Sequence, residues 1–415
     1  MYGKEFCKAM SSGADMNRHL IHDLRIPDLD FWKRHSLLLG SSLMHVVNDA
    51  AFVAIYPLLP AIAREFGLSL VEVGTLKTLL SFSSSIFQIP AALLSERVGD
   101  IGLLALGMGW VSVGFGVMAA AGSFFGLMVL TLAAGLGGAS QHPVATSAVS
   151  RAYGEKQAGT AIGLLNFSGD VGKILAPLAV GLLLLFFSWR TALVALGLFG
   201  TVFSLLFWQL FRERQSHTAQ RPSLPSLPGG TWGILDLKRF LALSLIGVLD
   251  GSTRSTLLTF TPFLLTVQKG FPDASASFML SVLLVGGACG KFGCGFLTDR
   301  LGVVKMIVLT EFLTASFILC LLTETALWTV PLFLGLGFAL NGTSTVLYTS
   351  VARLIDYEKR ARGYGLFYTI YLVASALAPV AYGILGSLLG LTAIFVGVSI
   401  ATFLILPLAL VSFRD

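Results

Sequence analysis

Residues 295–302 read Gly295–Phe296–Leu297–Thr298–Asp299–Arg300–Leu301–Gly302, and 203 positions earlier the chain reads Ala92–Leu93–Leu94–Ser95–Glu96–Arg97–Val98–Gly99. Leu94 falls on Leu297, Glu96 on Asp299, Arg97 on Arg300 and Gly99 on Gly302. Each copy is a short charged joint between two long apolar blocks. A shift of 202 aligns further positions: Val149 with Val351, Arg151 with Arg353, Gly163 with Gly365, Leu164 with Leu366, Ala176–Pro177 with Ala378–Pro379, and Gly181 with Gly383. One unit is therefore present twice, in the same order and the same topology.

The unit is a set of membrane spans. The 415 residues are 55% hydrophobic and only 12% charged, about half the charge of a soluble protein of this length. A span needs about 20 mostly apolar residues. Twelve blocks meet this, near 36–62, 70–94, 101–121, 124–149, 158–186, 189–211, 239–267, 274–297, 303–323, 326–352, 363–387 and 390–412. A membrane β-barrel would show dyad alternation instead, and Leu182–Phe187 does not alternate. The expected fold is all-α: twelve transmembrane helices in two pseudo-symmetric six-helix bundles, 36–211 and 239–412. They are joined by a linker at 212–238 that carries Pro222, Pro225, Pro228, Gly229 and Gly230. Residues 1–35 form a polar tail without the apolar core of a cleavable signal.

Basic residues set the orientation. On the side that holds both termini there are 21 Lys and Arg, against Arg64, Arg190 and Lys269 on the other. Both termini are expected in the cytoplasm, in a multi-pass protein of the cell (inner) membrane. The net charge of +6 is a by-product of this bias. No basic patch interleaved with aromatics points to nucleic acid. Cys289 and Cys294 lie about 140° apart on a helix and read as packing residues rather than a metal or redox pair. No Gly-rich loop ending in Lys–Ser/Thr is present, so neither an enzyme activity, a cofactor nor ATP hydrolysis is expected, and energy should come from an ion gradient.

The 295–302 stretch and its degenerate copy resemble the signature joint of the major facilitator superfamily, over a chain whose span count and central linker also match. The resemblance implies a transporter that alternates between inward- and outward-facing states. Within it, Glu96, Arg97, Asp299 and Arg300 form a cytoplasmic latch, with Arg151 and Arg353 as repeated gating positions. Ordinary topogenic charge is the competing explanation of these residues. A narrower resemblance lies in His45–Val–Val–Asn48–Asp49, Ala54–Ile55–Tyr56–Pro57–Leu58–Leu59 and Gly135–Leu–Gly–Gly–Ala–Ser–Gln141–His142–Pro143, which is similar to exporters of the fosmidomycin-resistance type.

Ionisable groups inside spans cost about 2.5–3.5 kcal/mol each and need a cavity or a partner. His45, Asn48 and Asp49 share one helix face at i, i+3, i+4. They suit proton exchange, with His142 as a third member, or else a helix–helix hydrogen-bond cluster. Gln141 and His142 precede Pro143, which should kink the fourth span. Asn166, Asp170 and Lys173 share a face, and Asp170 can neutralise Lys173. The run Gly172 to Gly181 looks like a degenerate antiporter motif, although Ala378–Pro379 and Gly383 repeat part of it. Asp250 and Arg254 form an i, i+4 pair, either a static ion pair or an anion clamp. Lys291 reads as snorkelling towards the cytoplasm.

The expected function is proton-coupled efflux antiport of a small anionic or amphiphilic compound by a monomer in the lipid bilayer. Asp49, His45 and His142 would handle protons. Asn48, Gln141, Asn166, Asp170, Lys173, Asp250 and Arg254 would meet substrate. The alternatives are a proton symporter for an organic anion or nutrient and, from another class, a non-transporting sensor on the same fold.

Overall fold

The computed structural model describes residues 29–212, 232–323, 328–356 and 360–412. Thirteen α-helices are present among them. The first half holds α1 (Leu29–Phe66), α2 (Leu70–Ile86), α3 (Gln88–Val98), α4 (Asp100–Met118), α5 (Phe124–Gly137), α6 (Gln141–Leu184) and α7 (Trp189–Phe211). The second holds α8 (Leu237–Phe263), α9 (Asp273–Leu301), α10 (Val303–Thr323), α11 (Thr329–Arg353), α12 (Arg360–Leu389) and α13 (Leu391–Ser412). No strand occurs among the described residues; one isolated bridge joins Ile234 to Ile355.

Ten described segments are long and apolar enough to cross a membrane, where the sequence predicts twelve. The two differences have physical causes. The second predicted span breaks at Phe87 into α2 and α3, of 17 and 11 residues. The seventh, α8, carries Lys238, Arg239, Asp250 and Arg254. Three boundaries also differ. Helix α1 starts at Leu29, inside the predicted polar tail. Most of the predicted linker, 213–231, lies outside the described residues, and α8 opens at Leu237, capped by the Asp236 carboxylate, which accepts from the Arg239 amide. The loop expected between the fourth and fifth spans is helical, because α6 runs unbroken for 44 residues. Pro143 consequently sits in the first turn of α6, where a proline costs no helical bond. The irregularity lies just before it, as a 3₁₀ turn at Gly138–Ser140.

The repeat seen in the sequence is a repeat of backbone geometry. Gly99 (φ 85, ψ 154) and Gly302 (φ 82, ψ 158) each join one helix to the next in a region almost closed to other residues. Gly67 (φ 64) and Gly270 (φ 70), also 203 apart, close α1 and the π-turn that follows α8. Contacts between the halves repeat as well. Ser277 Oγ donates to the Pro177 carbonyl at 2.6 Å. At the equivalent place Gly74 packs so tightly on the Pro379 carbonyl that a Cβ would lie 2.2 Å from it. Near them, Gly181 meets Phe278, Gly383 meets Leu70, and Arg64 is ion-paired with Asp273. The halves are thus in close contact at the end of the molecule marked by Arg64 and Asp273.

Outward faces are apolar: Leu106, Trp110, Phe186, Leu198 and Phe199 are largely exposed, as a lipid-facing surface requires. A groove of about 610 Å³ between α4, α5 and α7 belongs to this surface and is lined almost wholly by apolar side chains.

Candidate functional site

Four of the 28 basic residues, Lys77, Lys173, Arg254 and Lys291, lie deep within the apolar blocks. Beside the last three the structure places Asp49, Asp170 and Asp250. Two adjoining lobes of about 230 and 180 Å³ open among these groups, and Tyr56, Arg254 and Leu258 line both.

The first-half cluster is built on α1 and α6. Asp49, 4% exposed, is ion-paired through Oδ2 with Lys173 Nζ at 3.1 Å and accepts from Asn48 Nδ2 at 3.3 Å on Oδ1. His45 Nε2 lies 3.5 Å from Oδ2, and His142 Nε2 lies 3.8 Å from Oδ1. The two imidazoles meet edge to face, 4.9 Å between centroids. This approach depends on Gly169, where a Cβ would come within 2.6 Å of His45 and of Asp49 Oδ2. Gly172 in turn lies against the Val46 carbonyl. His45, Asp49 and His142 place ligand atoms within 4.8 Å of one another, a set that a metal ion could use. However, Lys173 already supplies against Asp49 Oδ2 the positive charge that a metal ion would bring. His45 is buried, while His142 is 43% exposed and lines the larger lobe, which gives the cluster a route to water.

Lys173 also reaches Asp170 Oδ1 at 3.2 Å, as the sequence predicts. Asp170 has a second partner. Lys291 on α9 donates to both of its oxygens, at 2.7 and 2.6 Å. The expectation that Lys291 snorkels is therefore corrected: a half-buried carboxylate on the other half holds it within the smaller lobe. A chain Asp49–Lys173–Asp170–Lys291 crosses from one half to the other.

The second-half cluster centres on Arg254 of α8. It donates to Asp250 at 3.2 Å, to Asn341 Oδ1 at 2.7 Å and to the Leu340 carbonyl at 2.7 Å. Its Nε has no hydrogen-bond partner among the described residues. Asp250 stands 201 residues after Asp49 on the corresponding helix, and both are buried. Gly251 admits Tyr371 and Ser375, and Gly287 admits Asn341. Tyr368 and Tyr371 stack with centroids 6.3 Å apart, and both line the larger lobe with Phe52, Tyr56 and Ser81.

The remaining predicted residues are placed as follows. Gln141 is buried beside the cluster, and its Nε2 has no partner among the described residues. Asn166 is exposed and lines neither lobe, one turn short of Asp170. Arg151 is ion-paired with Asp100 and bonded to Ser147, so it braces the 92–100 joint within the first half. Arg97, Asp299, Arg300 and Arg353 are exposed, and Arg300 lies over the Phe296 ring at 4.5 Å. The Glu96 side chain lies outside what is described. Lys77, Glu311 and Asn341 also lie within the spans and are not among the predicted site residues. Lys77 sits over the Tyr56 ring at 4.8 Å and donates to Ser81. The signal available for all three was their cost within an apolar span.

The family model described as Major Facilitator Superfamily matches residues 41–292 and 243–415. The chain belongs to that superfamily. It is a multi-pass membrane transporter of small molecules. It is similar to the probable 4-methylmuconolactone transporter of Cupriavidus pinatubonensis, 28% identical over 80% of this chain and 79% of that one. It is also similar to the probable L-galactonate transporter of Escherichia coli, 23% identical over 66% of each chain. The fosmidomycin resistance protein of Escherichia coli is 24% identical over 77% of this chain and 79% of its own length, in keeping with the resemblance read from α1 and the Gln141–His142 segment. Among solved structures, an inward-facing, occupied bacterial homologue of the human lysosomal transporter Spinster superposes with a TM-score of 0.75. It covers 91% of this chain and 95% of its own at 18% identity, a likeness of fold.

Proposed function

We propose that this transporter carries a small organic anion across the membrane together with a proton. The observation that carries the reading is the convergence of Arg254, Lys173 and Lys291, drawn from both halves, on one buried chamber. Arg254 offers a fork suited to a carboxylate or phosphonate. The lobes have room for a solute of modest size, with tyrosine and serine hydroxyls to meet its polar groups. The likeness to a protein named for L-galactonate, a hydroxylated carboxylate, points the same way.

Charge balance favours symport. Lys173, Lys291 and Arg254 are paired with Asp49, Asp170 and Asp250, three cations against three carboxylates. An entering anion adds a negative charge that costs several kcal/mol in such a place unless something offsets it. A proton taken up by the Asp49–His45–His142 cluster offsets it. Anion and proton then strengthen each other's binding, which co-transport requires. Antiport requires the two to exclude each other, and here only the kinship with a resistance protein argues for it.

In this reading twelve membrane segments, α2 with α3 counting as one and α6 supplying parts of two, form bundles 36–211 and 239–412. The bundles rock about the chamber, with the linker and both termini on the cytoplasmic face of the inner membrane. Gln141 and Asn48 hold the proton cluster in place, and the 92–99 and 295–302 joints gate the face opposite Arg64 and Asp273.

The test uses purified protein in proteoliposomes and a panel of L-galactonate, aromatic carboxylates and phosphonates. Acid outside should drive uptake of one panel member, with alkalinisation of the medium. Asp49→Asn should abolish the proton-driven component and leave the protein folded. Acidification on anion entry, or wild-type proton-driven flux in Asp49→Asn, defeats the proposal.

A further inference from the structure

Glu311 is the single glutamate that is buried among the described residues, at 1% exposure in the middle of α10. Its Oε1 has no hydrogen-bond partner among them. Its neighbour Thr310 is bonded to Thr343 of α11, two residues along that helix from Asn341, which holds Arg254, and the charges whose fields reach it are Asp250 and Arg254, both on α8. The helices packed on α10 bring hydroxyls and an amide to the region rather than charge: Thr343 and Asn341 from α11, Ser399 and Thr402 from α13. Two carboxyl groups, Asp250 and Glu311, therefore depend on one guanidinium. Arg254 lies against Asp250 and also lines both lobes of the chamber, so it stands between the carboxyl pair and any anion that enters.

Resting on the anion-and-proton reading above, we propose that Asp250 and Glu311 form a second proton site, which Arg254 couples to the occupancy of the chamber.

An unpaired carboxylate in a membrane interior is costly. With Arg254 bound to Asp250, the pair balances when it holds one proton, and Glu311, whose Oε1 has no hydrogen-bond partner among the described residues, is where that proton resides. When an anion draws the guanidinium to itself, Asp250 loses its counter-charge. Water from the face to which the chamber is open delivers a proton, and an O–H bond forms on the Asp250 carboxylate. When the anion leaves on the other side, Arg254 returns, that O–H bond breaks and the proton departs into water. The sum of charges is unchanged at each step. Each anion then travels with a proton from this pair, and with the proton of the Asp49 cluster as well the set that crosses carries one net positive charge.

The proposal is testable without knowing the substrate. Infrared spectra of the full-length protein in lipid at neutral pH should show the carbonyl stretch of a protonated, desolvated carboxylic acid. Glu311→Gln should remove that band, and Asp49→Asn should leave it. Isotope-labelled glutamate should shift it in the unmutated chain, which keeps the test valid if Glu311→Gln folds poorly. Arg254→Gln imitates withdrawal of the guanidinium and should add a second band, which Asp250→Asn in the same background removes. Absence of a glutamate band in the unmutated protein, or an unchanged carboxyl spectrum in Arg254→Gln, overturns the proposal. These spectra are independent of flux. If the bands behave as expected while no anion moves with protons, the anion–proton reading fails and the buried pair stands.

Discussion

Lys173 Nζ lies 3.1 Å from Asp49 Oδ2 and binds α6 to α1 through a carboxylate that is 4% exposed. The same ammonium reaches Asp170, which holds Lys291 of the other half. The state of Asp49 is thereby linked to the interface across which the halves must move. Protonation of Asp49 removes the charge that holds Lys173 and leaves Asp170 to share it with Lys291. A proton taken up on α1 can in this way alter a contact on α9.

The first prediction concerns this pair. Removing one partner of a buried ion pair strands the other charge and costs about 3–5 kcal/mol, while removing both is close to neutral. Lys173→Met should therefore lower thermal stability sharply, and Lys173→Met with Asp49→Asn should recover most of the loss. Both variants should lose proton-driven flux, since neither retains the coupled pair. Unfolding in detergent, followed alongside flux in proteoliposomes, separates the two effects. Equal destabilisation of the single and double variants would disprove the pairing.

Gly169 gives a test by shape alone. A methyl group there would lie 2.5 Å from His45 Cδ2 and 2.6 Å from Asp49 Oδ2. Gly169→Ala should push the imidazole from the carboxylate, cost about 1–3 kcal/mol as overpacking does, and shift the pH dependence of transport. Gly163 is on the same helix with nothing within 4 Å of its missing Cβ. Gly163→Ala should leave transport unchanged and stabilise the helix by about 0.5–1 kcal/mol.

The repeated joints make a stability prediction. Gly99 and Gly302 have nothing near a missing Cβ, so space is not what selects glycine there. Their backbone angles are, and a side chain at such angles costs about 1–3 kcal/mol. Gly99→Ala and Gly302→Ala should each lower stability by that amount, and the effects should add because the sites are independent. No loss in either variant would show that the joints relax freely.

The backbone of this architecture was legible in the sequence because the repeat acts locally. Gly99 and Gly302 fix their own joints, and apolar blocks fix their own helices. His45 and Asp49 were legible as a pair for the same reason, being four residues apart on one helix. The partners that complete the site were not. Lys173 stands 124 residues from Asp49, Lys291 stands 121 from Asp170, and Glu311 stands 61 from Asp250. No periodicity reports such meetings, and Lys291, near a charged joint, had an adequate local explanation in snorkelling. Ten described segments meet a strict measure of apolar length where twelve are predicted, because the site interrupts the pattern in the other two: α8 carries Asp250 and Arg254, and the broken segment carries Lys77 and Gln88.

The last prediction concerns the end of the molecule where the halves meet. Arg64 and Asp273 pair across the halves there, and Val71 N donates to Ser387 Oγ at 3.0 Å nearby. Both contacts must break if the chamber is to open at this end. Arg64 is 54% exposed, so the pair contributes no more than about 1 kcal/mol. That is enough to change a conformational population about fivefold. Asp273→Asn should raise the rate at which a cysteine placed at Val71 is alkylated from this side, and charge reversal at both positions, Arg64→Asp with Asp273→Arg, should restore the slow rate. A Val71→Cys, Ser387→Cys variant should form a disulfide under oxidation, stop transport, and recover it on reduction. Continued transport by the oxidised protein would show that this end does not open, and the proposed alternation about the central chamber would fall with it.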